Sequence, residues 1–90
     1  MVLIITFAHN NPAKNYNPFF DAIKSNSAQW WHFMESTWIV STAHSADQFA
    51  HLLFPHMETT DYLLVARLHP EHQGWLPKEA WDWLNNKSYD

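Results

Sequence analysis

From Trp30 to Thr42 the chain reads Trp-Trp-His-Phe-Met-Glu-Ser-Thr-Trp-Ile-Val-Ser-Thr. Two aromatic and β-branched runs meet there at the polar pair Glu35-Ser36. Such side chains suit pleated, half-buried backbone, and a polar pair between two of these runs suits a tight reversal. The block is expected to form a β-hairpin that supplies one inner and one outer strand of a sheet. Ninety residues make one domain, so every other element has to pack against this hairpin.

The remaining segments supply those elements. Val2 to Phe7 is apolar at both odd and even positions, which marks a central strand covered on both faces. A polar loop follows from Ala8 to Asn15. Asn17-Pro18 then predicts a helix start, with Asn17 as cap and Pro18 at the first helical position. Phe19, Phe20 and Ile23 form its apolar stripe, with Asp21 in the first turn and Lys24 near the end. Ser45 and Gln48 have capping-box spacing and open a second helix, whose stripe is Ala46, Phe49, Ala50 and Leu53. Tyr62 to Leu68 is a fourth strand with two apolar faces. Gly74-Trp75-Leu76-Pro77 leads into a short helix over Lys78 to Leu84.

The order is βαββαβ plus a terminal helix, a ferredoxin-like α+β pattern. It predicts a four-stranded antiparallel sheet in the order 4-1-3-2, with both main helices on one face. The domain spans 1–84, and the tail 85–90 is expected to fray.

Two helices can cover only one sheet face, yet the first and last strands are apolar on both. The chain also carries six Trp and six Phe. Each buries about 150–250 Å², more than so small an interior holds easily. An exposed apolar sheet face marks an interface, so a homodimer burying sheet against sheet is expected. The alternative is that the terminal helix folds back over that face.

Composition removes several function classes. With no Cys there is neither a disulfide framework nor a thiol nucleophile. The single Gly rules out a phosphate-cradling glycine loop. The opening run is too short for a signal peptide or a membrane span, which places the protein in the cytoplasm without membrane attachment. The net charge is −4, and Lys14, Lys24, Arg67, Lys78 and Lys87 are scattered. No basic run exists to displace phosphate counterions, although a dimer could focus these cations into one groove. No cofactor and no metal site are expected.

The candidate site lies at the end of the first strand. His9, followed by Asn10 and Asn11, could act as acid, base or ligand there; the competing reading is a loop in which the Asn residues serve turn geometry. Trp31, Trp38 and Trp75 are the candidate binding residues. Their rings could stack on bases at about 1–3 kcal/mol each, or anchor the core and a dimer interface. His69-Pro70-Glu71-His72 has metal-ligating side chains, but Pro70 favours a solvated loop. Glu58, Asp61 and Glu71 show no recognisable acid/base spacing.

Several pieces resemble a group of small bacterial proteins labelled SinR-family. These are Asn15-Tyr16, Asp21-Ala22-Ile23-Lys24-Ser25, Trp30-Trp31-His32, Ser36-Thr37-Trp38-Ile39-Val40, Ser45-Ala46 and Gly74-Trp75-Leu76-Pro77-Lys78-Glu79-Ala80-Trp81. That group is similar in fold to the small ferredoxin-like subunit of the CRISPR spacer-integration complex and to related toxin ribonucleases, which form two-fold dimers. The resemblance implies a dimer and a phage-defence or toxin–antitoxin setting. In those relatives the first strand ends in Tyr-Asp, whose Asp is proposed to hold a metal. Here Phe7-Ala8 and then His9 stand at that place. The expectation is a non-catalytic binding protein with a nucleotide, nucleic acid or protein partner. The alternative is a ribonuclease or phosphodiesterase that depends on a metal or uses His9.

Overall fold

A computed structural model describes residues 1–89. The elements in chain order are β1 (Val2–Ala8), α1 (Asn17–Ser25), β2 (Gln29–Met34), β3 (Thr37–Ser41), α2 (Ala46–Leu53), β4 (Tyr62–Arg67) and α3 (Lys78–Asn85). A single 3₁₀ turn, Phe54–His56, follows α2. The four strands form one sheet in the order β2-β3-β1-β4, which read from the other edge is 4-1-3-2. Every neighbouring pair is antiparallel. The hairpin turns at Glu35-Ser36 as its sequence predicts, and its register breaks between Trp31 and Met34.

β1 sits between β3 and β4, so its alternating side chains feed two cores. On one face Leu3 and Ile5 meet Trp38 and Val40 of β3. Phe19 and Ile23 of α1 and Phe49 and Leu53 of α2 close over them. On the other face Val2, Trp31 and Ile39 are buried beneath Ala80 and Leu84 of α3. The expectation of a bare second face is overturned at this end. An amphipathic helix must bury its stripe, and the connection 68–77 is long enough to carry α3 back over the nearest apolar surface.

The cover is partial. Thr6 pairs with Leu64 and Ala8 with Tyr62, while Met34 pairs with Thr37. These positions lie on the α3 face; Tyr62 and Leu64 are beyond the reach of α3, and Met34 stands at its margin in a cavity lined also by Trp81 and Leu84. Leu64 is 64% exposed, Tyr62 72% and Met34 43%.

Two local expectations also change, both at the start of α1. In the tail expected to fray, Tyr89 Oη donates to the Leu84 carbonyl at 2.6 Å and Arg67 Nη2 donates to the Tyr89 carbonyl at 3.0 Å. Asp90, the rest of that tail, lies outside the described residues. α1 is capped by Tyr16 rather than Asn17, because the Asn15 side chain accepts from Asn17 N (3.0 Å) and starts the helix one residue sooner. Asp21 therefore falls beyond the first turn. The Ser45 box forms as predicted, with Ser45 Oγ accepting from Gln48 N at 3.1 Å and Ser45 N donating to Gln48 Oε1 at 3.0 Å. Among the described residues no helix is long and apolar enough to cross a membrane.

Candidate functional site at the end of β1 and β4

Antiparallel pairing of β1 with β4 sets Ala8 opposite Tyr62. The loop leaving β1 therefore lies against the loop entering β4, and Asp61 stands between them. Its carboxylate accepts from Asn10 N at 2.7 Å and from Glu58 N at 2.9 Å. The Tyr16 hydroxyl lies 2.8 Å from both carboxylate oxygens. At the rim Lys14 Nζ is 3.4 Å from Glu58 Oε1.

His9 is clamped by rings. Its imidazole is stacked on Tyr16, with centroids 3.7 Å apart, and on Phe7 at 4.4 Å. The edge of Phe19 closes a third side. His9 Nε2 is buried and has no hydrogen-bond partner.

The electrostatics follow from this packing. Burial lowers the His9 pKa below its ordinary 6.5; Asp61 acts against this and Lys14 with it. The imidazole is therefore neutral at pH 7. Desolvation pushes Asp61 up, but backbone hydrogen bonds from Asn10 and Glu58, the Tyr16 hydroxyl and the His9 charge outweigh it, so its pKa is lowered. Tyr16 is raised, first by desolvation and then by its bond to Asp61.

Chemically, the arrangement offers one neutral imidazole with an uncommitted nitrogen. Asp61 is occupied by its own loops. Among the described residues no group of three or more His, Cys, Asp or Glu is placed to hold a metal.

The other predicted site residues are distributed as follows. Asn10 donates through Nδ2 to the Thr60 carbonyl at 2.7 Å, and Asn11 Oδ1 accepts from Ala13 N at 3.1 Å. Both side chains thus set loop geometry beside His9. Trp31 and Trp38 are 1% and 3% exposed, inside the two cores. Trp38 is sandwiched between Phe20 and His32. With their rings buried there, both indoles take the core-anchor reading rather than that of open stacking platforms. Their cross-strand partners, Ile39 opposite Trp31 and Ile5 opposite Trp38, face the same cores. Trp75 is fully exposed. In the 69–72 loop His69 Nδ1 accepts from Glu71 N, and His72 Nδ1 bonds the His69 carbonyl.

Sequence reasoning missed Tyr16 as a site residue and left Asp61 unpaired. The pairing of β1 with β4 was the signal, because it joins the two loops.

Comparison with protein-family models, with curated proteins and with solved structures returns no match.

Proposed function

We propose that the protein is a cytoplasmic ferredoxin-like binding module that pairs two-fold through the open half of the sheet's second face. The observation that carries this reading is the set of exposed apolar side chains on that half of the face, Tyr62 and Leu64 on one edge strand and Met34 on the other, with Thr6 and Thr37 between them. Such a set on a small chain is the mark of an interface, and a two-fold axis is the simplest way for a second copy to cover it. The strand order and the two helices sharing one face support the ferredoxin-like assignment. The partner is a nucleotide, a nucleic acid or a protein, and the phage-defence or toxin–antitoxin setting follows the SinR-family resemblance.

The binding reading is favoured over hydrolysis because Asp61, the carboxylate nearest His9, is held by two backbone amides and a phenol. A His9-dependent ribonuclease or phosphodiesterase is the second reading, favoured by the unpartnered His9 Nε2. Light scattering at micromolar concentration is expected to give twice the chain mass of 10.7 kDa; a monomer mass overturns the pairing. Incubation with labelled single- and double-stranded RNA and DNA, with and without divalent metal, is expected to leave substrates intact. Cleavage that disappears in a His9→Ala variant would replace the binding reading with the second one.

A further inference from the structure

Between the second sheet face, α3 and the 69–77 connection lies a cavity of about 270 Å³. Ile4, Met34, Leu68, Leu76 and Trp81 form much of its wall, and Trp75 is also part of the lining. It is separate from the His9 site and shares Met34 with the pairing surface proposed above. An apolar cavity gives water too few hydrogen bonds to hold it, and accepts small apolar molecules instead.

Two polar side chains, His72 and Gln73, line this cavity. Gln73 Oε1 is taken by the amide of Gly74 at 3.0 Å. His72 Nδ1 lies 2.6 Å from the His69 carbonyl oxygen. A carbonyl only accepts, so Nδ1 carries the hydrogen, and Nε2 is the nitrogen with a lone pair to offer. The ring lies near-parallel to Trp81, 7° between planes with centroids 6.3 Å apart, and 5.2 Å from the Tyr89 ring. The site thus combines apolar walls with one acceptor, the pattern of a small-molecule pocket.

We infer that this cavity binds a compact aromatic molecule bearing a single N–H or O–H donor, received by His72 Nε2, with Trp75 closing over it. Trp75 is otherwise wholly in solvent, and a ring bound at the mouth gives its indole the cover it lacks.

The test is calorimetric titration of the full chain with indole and with 1-methylindole, which has the same ring but no donor. Indole is expected to bind saturably, and 1-methylindole about tenfold more weakly, the value of one hydrogen bond. His72→Phe is expected to remove that preference while keeping 1-methylindole binding. Ile4→Trp and the more exposed Met34→Trp fill the cavity and are expected to abolish binding of both, with folding checked by circular dichroism. A Leu64→Lys monomer is expected to bind indole like the parent, which separates this inference from the pairing. Absence of saturable indole binding overturns it, as does undiminished binding by a folded Ile4→Trp or Met34→Trp chain. Equal affinity for the two probes overturns the role of His72. Indole binding seen only in Trp75→Ala, together with loss of the dimer, assigns the cavity to Trp75 of a second copy and overturns the small-molecule reading.

Discussion

The phenol of Tyr16 lies flat against the imidazole of His9, centroids 3.7 Å apart and planes 2° from parallel, while its hydroxyl donates to Asp61. One side chain therefore shields His9 from water and ties the loop after β1 to the loop before β4. The relationship makes His9 a reporter of the loop pair: whatever opens the stack also hydrates the imidazole.

A pH dependence follows. Burial holds the folded His9 pKa below 6.5, so as the pH falls the unfolded chain takes up this proton first. The contribution of His9 to stability is complete above 6.5 and is lost as the pH falls through the folded value. Glu58, Asp61, Lys14 and Tyr16 are the charged and titratable groups around it, and Asp61, also lowered, loses its contribution only in the acid range below its ordinary carboxylate value. The melting temperature is expected to fall between neutral pH and the acid side of the histidine range. His9→Phe keeps the stack and flattens that limb. An equally steep limb in His9→Phe assigns the effect to one of the other six histidines.

Asp61 is the acceptor that closes the two loops. Asp61→Ala leaves Asn10 N, Glu58 N and the Tyr16 hydroxyl to water, which replaces part of what is lost. A destabilisation of about 1–2 kcal/mol is expected in denaturant titration. Asp61→Asn retains one carbonyl acceptor and is expected to fall between Ala and the parent. The Asp61 charge raises the His9 pKa against burial, so with the stack intact the His9 titration in Asp61→Ala, followed by NMR, is expected to move further below its ordinary value. A shift toward the ordinary value would mean that the stack opens without the carboxylate and hydrates the imidazole.

The positions of the elements were legible because local patterns agree with the tertiary outcome. The Trp30–Thr42 block turns where its polar pair stands, and Ser45 and Gln48 form the box that their spacing predicts. What was not legible depends on contacts distant in sequence. Asp61 is 45 residues from Tyr16, so nothing local announces that pair. The burial of Trp31 depends on where α3 folds, and the Trp81/Leu84 spacing states that the helix has an apolar side without stating which surface takes it. The surplus of aromatics in the composition leaves two readings open for Trp31 and Trp38, base stacking or anchoring of a core and interface. Alternation along each strand, with α3 added as a roof, absorbs both indoles.

That roof can be tested by removing its main anchor. Leu84 is buried against Val2, Trp31 and Ile39. Leu84→Ala is expected to cost about 2–4 kcal/mol in urea unfolding, a large share of the ~5 kcal/mol available to a chain this size. The released helix would also uncover Trp31, giving a red shift of tryptophan emission and raised binding of an apolar dye under native conditions. A loss of stability with unchanged emission would place the cost elsewhere than at this face.

The pairing surface lies next to the roof and is expected to respond differently. Leu64 sits in the edge strand β4, opposite Thr6 of the central strand, with its side chain mostly in solvent. In a lone molecule, Leu64→Lys therefore removes little packing and should change stability by less than about 0.5 kcal/mol. In a two-fold dimer the same substitution sets two charges into an apolar contact, close to each other across the axis, and desolvates both. The expected result is a fall to the monomer mass in light scattering, with a melting temperature that no longer depends on protein concentration. Ser45→Ala, remote from that surface, provides the contrast: loss of the cap is expected to lower stability by about 1 kcal/mol while leaving the mass that of a dimer. If Leu64→Lys keeps the dimer mass, the two-fold contact lies on another surface, and the open half of the sheet is left to a partner of a different kind.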